Sequence, residues 1–159
     1  MNLLEFEHHL KMVLIKELEA CQDRFSNEMM LAFDLGCHPW HGYLEPSFLT
    51  TTEPENILPE GKWQSVGSWK LYNFPYQGSG WLKVAEIEKW MQTEWTNSSQ
   101  KQATAGCFFQ LCARVVMSNE VIQCLKSFHL ALDFEIAVMD PDDSTFTNYI
   151  ENTLIQWHD

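Results

Sequence analysis

Between Cys21 and Glu28 the spacing of apolar residues changes from steps of three and four to steps of two, and that change orders the first two elements. Before it, Phe6, Leu10, Val13, Leu14, Leu18 and Cys21 form one stripe, with Glu5, Glu7, Lys11, Lys16 and Glu17 mostly off it. This pattern predicts an amphipathic helix. Asn2 followed by Glu5 has the spacing of a capping box, with Asn in place of the usual Ser or Thr. After the change, Met29, Leu31, Phe33 and Leu35 alternate with Met30 and Ala32, so both faces are apolar. A strand of that kind belongs in the middle of a sheet.

Turn chemistry divides the rest. A turn over Gly36 to Gly42 leads to a second strand, Tyr43 to Thr51, which Pro46 assigns to an edge or a bulge because it lacks a ladder donor. Glu53 to Gly61 holds Pro54 and Pro59 and reads as an exposed loop. Ser68 to Phe74 is a third expected strand. Gly78-Ser79-Gly80 is a turn that opens a helix from Trp81 to about Trp95, and Thr96 to Ser99 breaks it. Ala105, Phe108, Cys112, Val115 and Val116 share a face of the next helix, which restarts at Ser118-Asn119. Leu130 to Met139 returns to period two, with Leu130, Leu132, Phe134, Ile136 and Val138 inward, Phe134 central to the core, and Asp133 and Glu135 outward. A closing helix, Ser144 to His158, buries Phe146, Tyr149, Ile150 and Leu154. The expected fold is a single α+β domain over residues 1–159, with a mostly antiparallel sheet of about four strands packed with N-terminal, central and C-terminal helices.

Charge narrows the function. The chain carries 22 Asp and Glu against 10 Lys and Arg, a net charge of -12, with 45% hydrophobic residues. A disordered acidic tail lacks that much apolar material, and nucleic-acid binders have the opposite sign. Such a surface repels phosphate and anionic lipid and attracts basic protein, so a basic protein partner is expected, with no nucleic acid and no membrane. The five Cys are irregularly spaced, which reads as reduced thiols rather than a disulfide framework. Residues 1–11 lack the basic start and apolar run of a signal peptide, so the expected location is the cytoplasm.

Several clusters could carry chemistry. Asp34, Cys37, His38 and His41 lie close in sequence, and Cys37, His38 and His41 are competent zinc ligands, with Cys107 or Cys112 as a remote fourth. Cys37 and His38 are adjacent, which is poor ligand spacing and also places a thiol and its base on opposite sides of an extended chain. A structural turn set by Gly36, Pro39 and Gly42 competes with both readings and is the expectation here: no metal, no cofactor and no catalytic residue. Gly78-Ser79-Gly80 lacks the further residues of a phosphate-binding fingerprint and reads as a capping turn. Asp140, Asp142, Ser144, Asn148 and Glu151 match the oxygen positions of a calcium loop, but Thr145 stands where that loop needs glycine. Trp40, Trp63 and Trp69 lie in or beside loops and are the tryptophans best placed for exposed recognition, although core packing is the commoner role.

Leu31-Ala32-Phe33-Asp34-Leu35-Gly36-Cys37-His38-Pro39-Trp40-His41-Gly42, then Phe48-Leu49-Thr50, and later Trp69-Lys70-Leu71-Tyr72-Asn73-Phe74 resemble small acidic bacterial proteins of uncharacterised families. Some of these accompany polymorphic or contact-dependent toxins as immunity proteins. The resemblance implies an inhibitor that binds a cognate toxin domain in the cytoplasm, and the acidic charge adds the expectation that this domain is basic, a nuclease in the leading reading, and that its active site is occluded. It carries over no functional residue. From the charge pattern, the expected partner contacts are Glu53, Glu55 and Glu60 on one loop and Asp140, Asp142 and Asp143 on another. The alternatives are a small metal-dependent hydrolase using Asp34, Cys37, His38 and His41, and a non-catalytic adaptor subunit.

Overall fold

In the computed structural model, which describes residues 1–53, 63–78, 80–81, 83–140, 142 and 147–151, the chain opens on the expected capping box. The Glu5 N–H donates to Asn2 Oδ1 (3.0 Å) and the Asn2 N–H donates to Glu5 Oε2 (2.8 Å). A cap of this type stabilises a helix by about 1 kcal/mol. It starts α1, Leu3–Cys21, which buries Phe6, Leu10, Leu14, Leu18 and Cys21, the stripe read from sequence, with Val13 half-buried beside them.

The fold is mixed α/β, with one three-stranded sheet. Its strands are β1, Met30–His38, β2, Tyr43–Thr50, and β3, Leu130–Ala137, in the order β2-β1-β3. β1 is therefore central, as its two apolar faces require, and β2 with Pro46 lies at an edge. On one face, Phe33, Leu35 and Cys37 join the main core with α1 and the later helices. On the other, Ala32 packs with Leu49 and Trp69 in a smaller cluster rimmed by Leu31, Trp63, Val66 and Tyr72. A register shift between Met30 and Ala32 sends these two residues to different clusters although they are two positions apart.

Three expectations need correction. Ser68–Phe74 is not a strand: 3₁₀ turns at Trp63–Ser68 and Phe74–Gln77 flank it, and Asn73 is left-handed (φ 43°). Its ladder pairing with β2 is a single bridge, Phe48 to Leu71, and it lies across the sheet's smaller cluster. Its alternation had a different origin, since Trp69 and Leu71 are buried in different clusters.

The expected sheet of about four strands is a three-stranded one with a parallel pair at one side. β1 and β2 form an antiparallel hairpin, but β3 runs parallel to β1 after a crossover through α2 (Val84–Asn97), α3 (Lys101–Val116) and α4 (Asn119–Leu125). A long helical connection can return the chain to the end from which β1 started, which a tight turn cannot. Finally, β3 does not keep strict alternation. Met30 faces Leu130 whereas Ala32 faces Glu135, so β3 bulges, and Leu132 is fully exposed where an inward position was expected. Phe134 is half-buried against the main core rather than central to it.

The helix restart at Ser118 stands where the sequence put it, whereas α2 runs on through Thr96 and Asn97 and breaks over 98–100. α2 begins at Val84, behind a left-handed Lys83 (φ 72°), so the Gly78–Gly80 turn does not cap it directly. Of the expected closing helix, residues 149–151 are helical, with Ile150 buried and the Tyr149 ring 4.9 Å from Phe109. Phe146 and Leu154 lie outside the described residues. Among the described residues no helix is long and apolar enough to cross a membrane.

Candidate functional site

Strand alternation sends Asp34, Gly36 and His38 to the face of β1 opposite Phe33, Leu35 and Cys37. There they line a cleft of about 280 Å³, closed by Glu45 of β2, by Trp63, Val66 and Tyr72, and by Met139 and Asp140 beyond β3. Hairpin register supplies Glu45. The loop over residues 39–42 pairs His38 with Tyr43, and hence Gly36 with Glu45, and residues opposite each other in an antiparallel pair share a face. Gly36 keeps the floor low, since a Cβ there would stand 3.4 Å from Glu45 Cβ and 3.6 Å from Asp34 Oδ2.

Glu45 is held firmly. Tyr72 donates its hydroxyl to Glu45 Oε2 at 2.6 Å, and His38 Nε2 lies 3.0 Å from the same oxygen. Burial pushes the Glu45 carboxyl up, but the hydrogen bonds from His38 and Tyr72 outweigh it and hold Glu45 below the usual carboxylate range. Tyr72 moves the other way, raised by its burial and by donating to Glu45. Gln77 fixes this wall by donating to the carbonyls of Lys70 and Tyr72.

Asp34 has the opposite environment. It is 4% exposed, and its Oδ1 is buried without a hydrogen-bond partner. Its cross-strand neighbour Ser47 is committed elsewhere, donating to the Glu45 carbonyl (3.4 Å) and accepting from the Asn73 N–H (2.9 Å). Desolvation, aided by the nearby Glu45 charge, pushes Asp34 up to about 8. Two carboxylates thus share one cleft in opposite protonation states at neutral pH, and no lysine or arginine is among the described residues that line it.

The four residues of the sequence cluster do not converge. Asp34 and His38 enter the cleft, but Cys37 points into the main core, where its sulfur lies 3.7 Å from Met91 Sδ and burial raises its thiol strongly. His41 is exposed in the hairpin loop. Among the described residues no group of three His, Cys, Asp or Glu side chains is arranged to hold a metal. The hairpin turn depends on Gly42 (φ 69°), whose N–H donates to the His38 carbonyl at 2.8 Å.

The expected contact residues also separate. Asp140 lines the cleft, and Asp142 is exposed, its N–H donating to Asp140 Oδ1 at 2.9 Å. Glu53 is turned inward and accepts from the Thr50 N–H (3.1 Å), the Thr50 hydroxyl (3.2 Å) and the Lys70 N–H (2.7 Å). Glu55, Glu60 and Asp143 lie outside the described residues. Of the loop tryptophans, Trp69 is buried, while Trp63 and Trp40 are half-buried, their rings 5.8 Å from Trp69 and 6.4 Å from Phe109. They pack rather than stand exposed. Sequence reasoning missed Glu45 and Tyr72; hairpin arithmetic from Gly42 would have found Glu45, whereas Tyr72 arrives through tertiary packing.

No family model, no curated protein and no solved structure matches this chain.

Proposed function

We propose that this chain is an immunity-type protein that binds a basic toxin domain in the cytoplasm, a nuclease in the leading reading, and neutralises it by covering its active site. The observation that carries this reading is the open cleft bordered by Asp34, Glu45 and Asp140, in a chain of net charge -12, with no lysine or arginine among its described lining residues. A surface that binds nucleic acid meets the phosphates with Lys and Arg. An acidic surface opposes that charge, speeds the encounter and disfavours partners of the wrong sign. Asp140, which lines the cleft, and the exposed Asp142 are the proposed contact residues among those described, and Asp143, Glu53, Glu55 and Glu60 are proposed with them from the charge pattern of the sequence.

Expression in living cells tests the proposal. The reading frame beside this gene should encode a polypeptide with a basic C-terminal domain that arrests growth alone and does not when this chain is co-expressed. Arrest that persists despite equal amounts of both proteins, or a neighbour that never arrests growth, would remove the reading.

A further inference from the structure

We propose that the cleft over Asp34 is a receptor for one guanidinium group, which Asp34 and Glu45 grip from the floor while Trp63 and Tyr72 form the wall. The inference deepens the binding reading and rests on it for the source of the cation, an arginine side chain of the bound partner.

Asp34 is the first reason. A carboxyl group 4% exposed, with one oxygen unpartnered and the opposing Ser47 hydroxyl committed elsewhere, lacks the hydrogen bonds that buried polar groups almost always have. Its neighbours on the same face, Ala32, Leu49 and Trp69, are apolar, so packing alone would accept an apolar side chain there. Asp34 itself lines an open cleft rather than lying in sealed core, so its carboxyl group forms part of the floor that a donor entering the cleft meets.

Size and shape are the second reason. At about 280 Å³ the cleft falls just below the roughly 300–1,000 Å³ of small-molecule sites, which suits one side chain better than a cofactor. A guanidinium is planar, presents several N–H donors in a fixed fork and is weakly hydrated, so it pairs with carboxylates and stacks on aromatic rings at lower desolvation cost than an ammonium. Both donors to Glu45 converge on one oxygen, Oε2, which orients the carboxylate before any ligand arrives.

Binding should also be linked to protons. The charged or titratable groups around Asp34 are Glu45 from β2, His38 and the underlying Cys37 from β1, Tyr72 from the turn segment and Asp140 beyond β3. A cation favours ionised Asp34, so binding expels its proton, and affinity should rise about tenfold from pH 6 to pH 7.

The test is an amide NMR titration of the full chain with N-acetyl-Gly-Arg-Gly-amide, with its citrulline counterpart and with methylguanidine. Saturable shifts at Gly36, His38, Glu45 and Tyr72, with a Kd of about 1 mM for so small a ligand, are expected for the arginine peptide and not for citrulline. Asp34→Asn and Glu45→Gln should each weaken binding at least about tenfold, and thermal melts of both confirm a folded chain. An arginine peptide that outbinds methylguanidine marks a partner's side chain as the source, whereas equal affinities mark a free small guanidine. Equal shifts with citrulline, or wild-type affinity in both variants, would overturn the receptor. Neutralisation of the toxin domain equally by wild type and Asp34→Asn would remove the receptor and leave the immunity reading. Peptide binding without any neutralisation would do the reverse.

Discussion

Asp34 ties stability to pH with a definite sign. Its folded value near 8 lies above the ordinary 3.8, so between about pH 4 and pH 8 the folded chain keeps a proton that the unfolded chain has released. Stability from this group therefore falls as pH rises through that window, by up to roughly 1.4 kcal/mol per pH unit. Glu45 works oppositely, because its lowered value favours the fold above the ordinary carboxylate range. Comparing Asp34→Asn with wild type by urea denaturation near pH 5 and near pH 8 cancels the other groups. The variant should gain about 2 kcal/mol or more relative to wild type at the higher pH; equal pH slopes would show that Asp34 is not a buried, unsatisfied acid. The sequence made Asp34 visible as a titratable residue but not its contrast with Glu45, because Glu45 arrives from across the hairpin and its partner Tyr72 from far along the chain.

The exposed edge of β2 shows how the elements protect one another. Its outward donors are accounted for in turn: the Leu44 N–H goes to Glu88 Oε1 (3.1 Å), Pro46 has none, the Phe48 N–H goes to the Leu71 carbonyl (3.2 Å), and the Thr50 N–H goes to Glu53. An edge so covered cannot template another strand. Glu88→Ala strands the Leu44 N–H and should cost about 1–3 kcal/mol, whereas Glu88→Gln keeps an acceptor and should cost less. Gly42→Ala combines a left-handed backbone with a Cβ only 3.1 Å from the Glu88 carbonyl oxygen and should destabilise as well. Denaturant midpoints for the three variants check these expectations, and equal losses for the two Glu88 variants would mean that its hydrogen bond contributes nothing. Elements were legible where their cause is local: the Asn2 cap, the α1 stripe, the two apolar faces of β1, and Pro46 at an edge. Ser68–Phe74 was misread because burial in two separate clusters imitates a strand's alternation. Leu132 was misread because a bulge has no marker in a run of apolar residues, and the parallel pairing of β3 was hidden because periodicity carries no strand direction.

At the scale of the molecule, charge is the feature that sequence shows most plainly, while structure adds where it is concentrated. The cleft of Asp34, Glu45 and Asp140 gathers acid on the face opposite the helices, and Asp142 stands exposed beside it. Reversal of an exposed charge such as Asp142→Lys should slow association with a basic partner and leave dissociation nearly unchanged, because rim charges steer the encounter more than they hold the complex. Surface-plasmon kinetics with the proposed toxin domain would resolve the two rates. The most direct measurement is the association rate of the wild-type chain with that domain as ionic strength rises. Electrostatic capture by a surface of net charge -12 predicts a fall of about tenfold or more between low and high salt, since screening shortens the reach of the field. An association rate that does not change with salt would contradict the account.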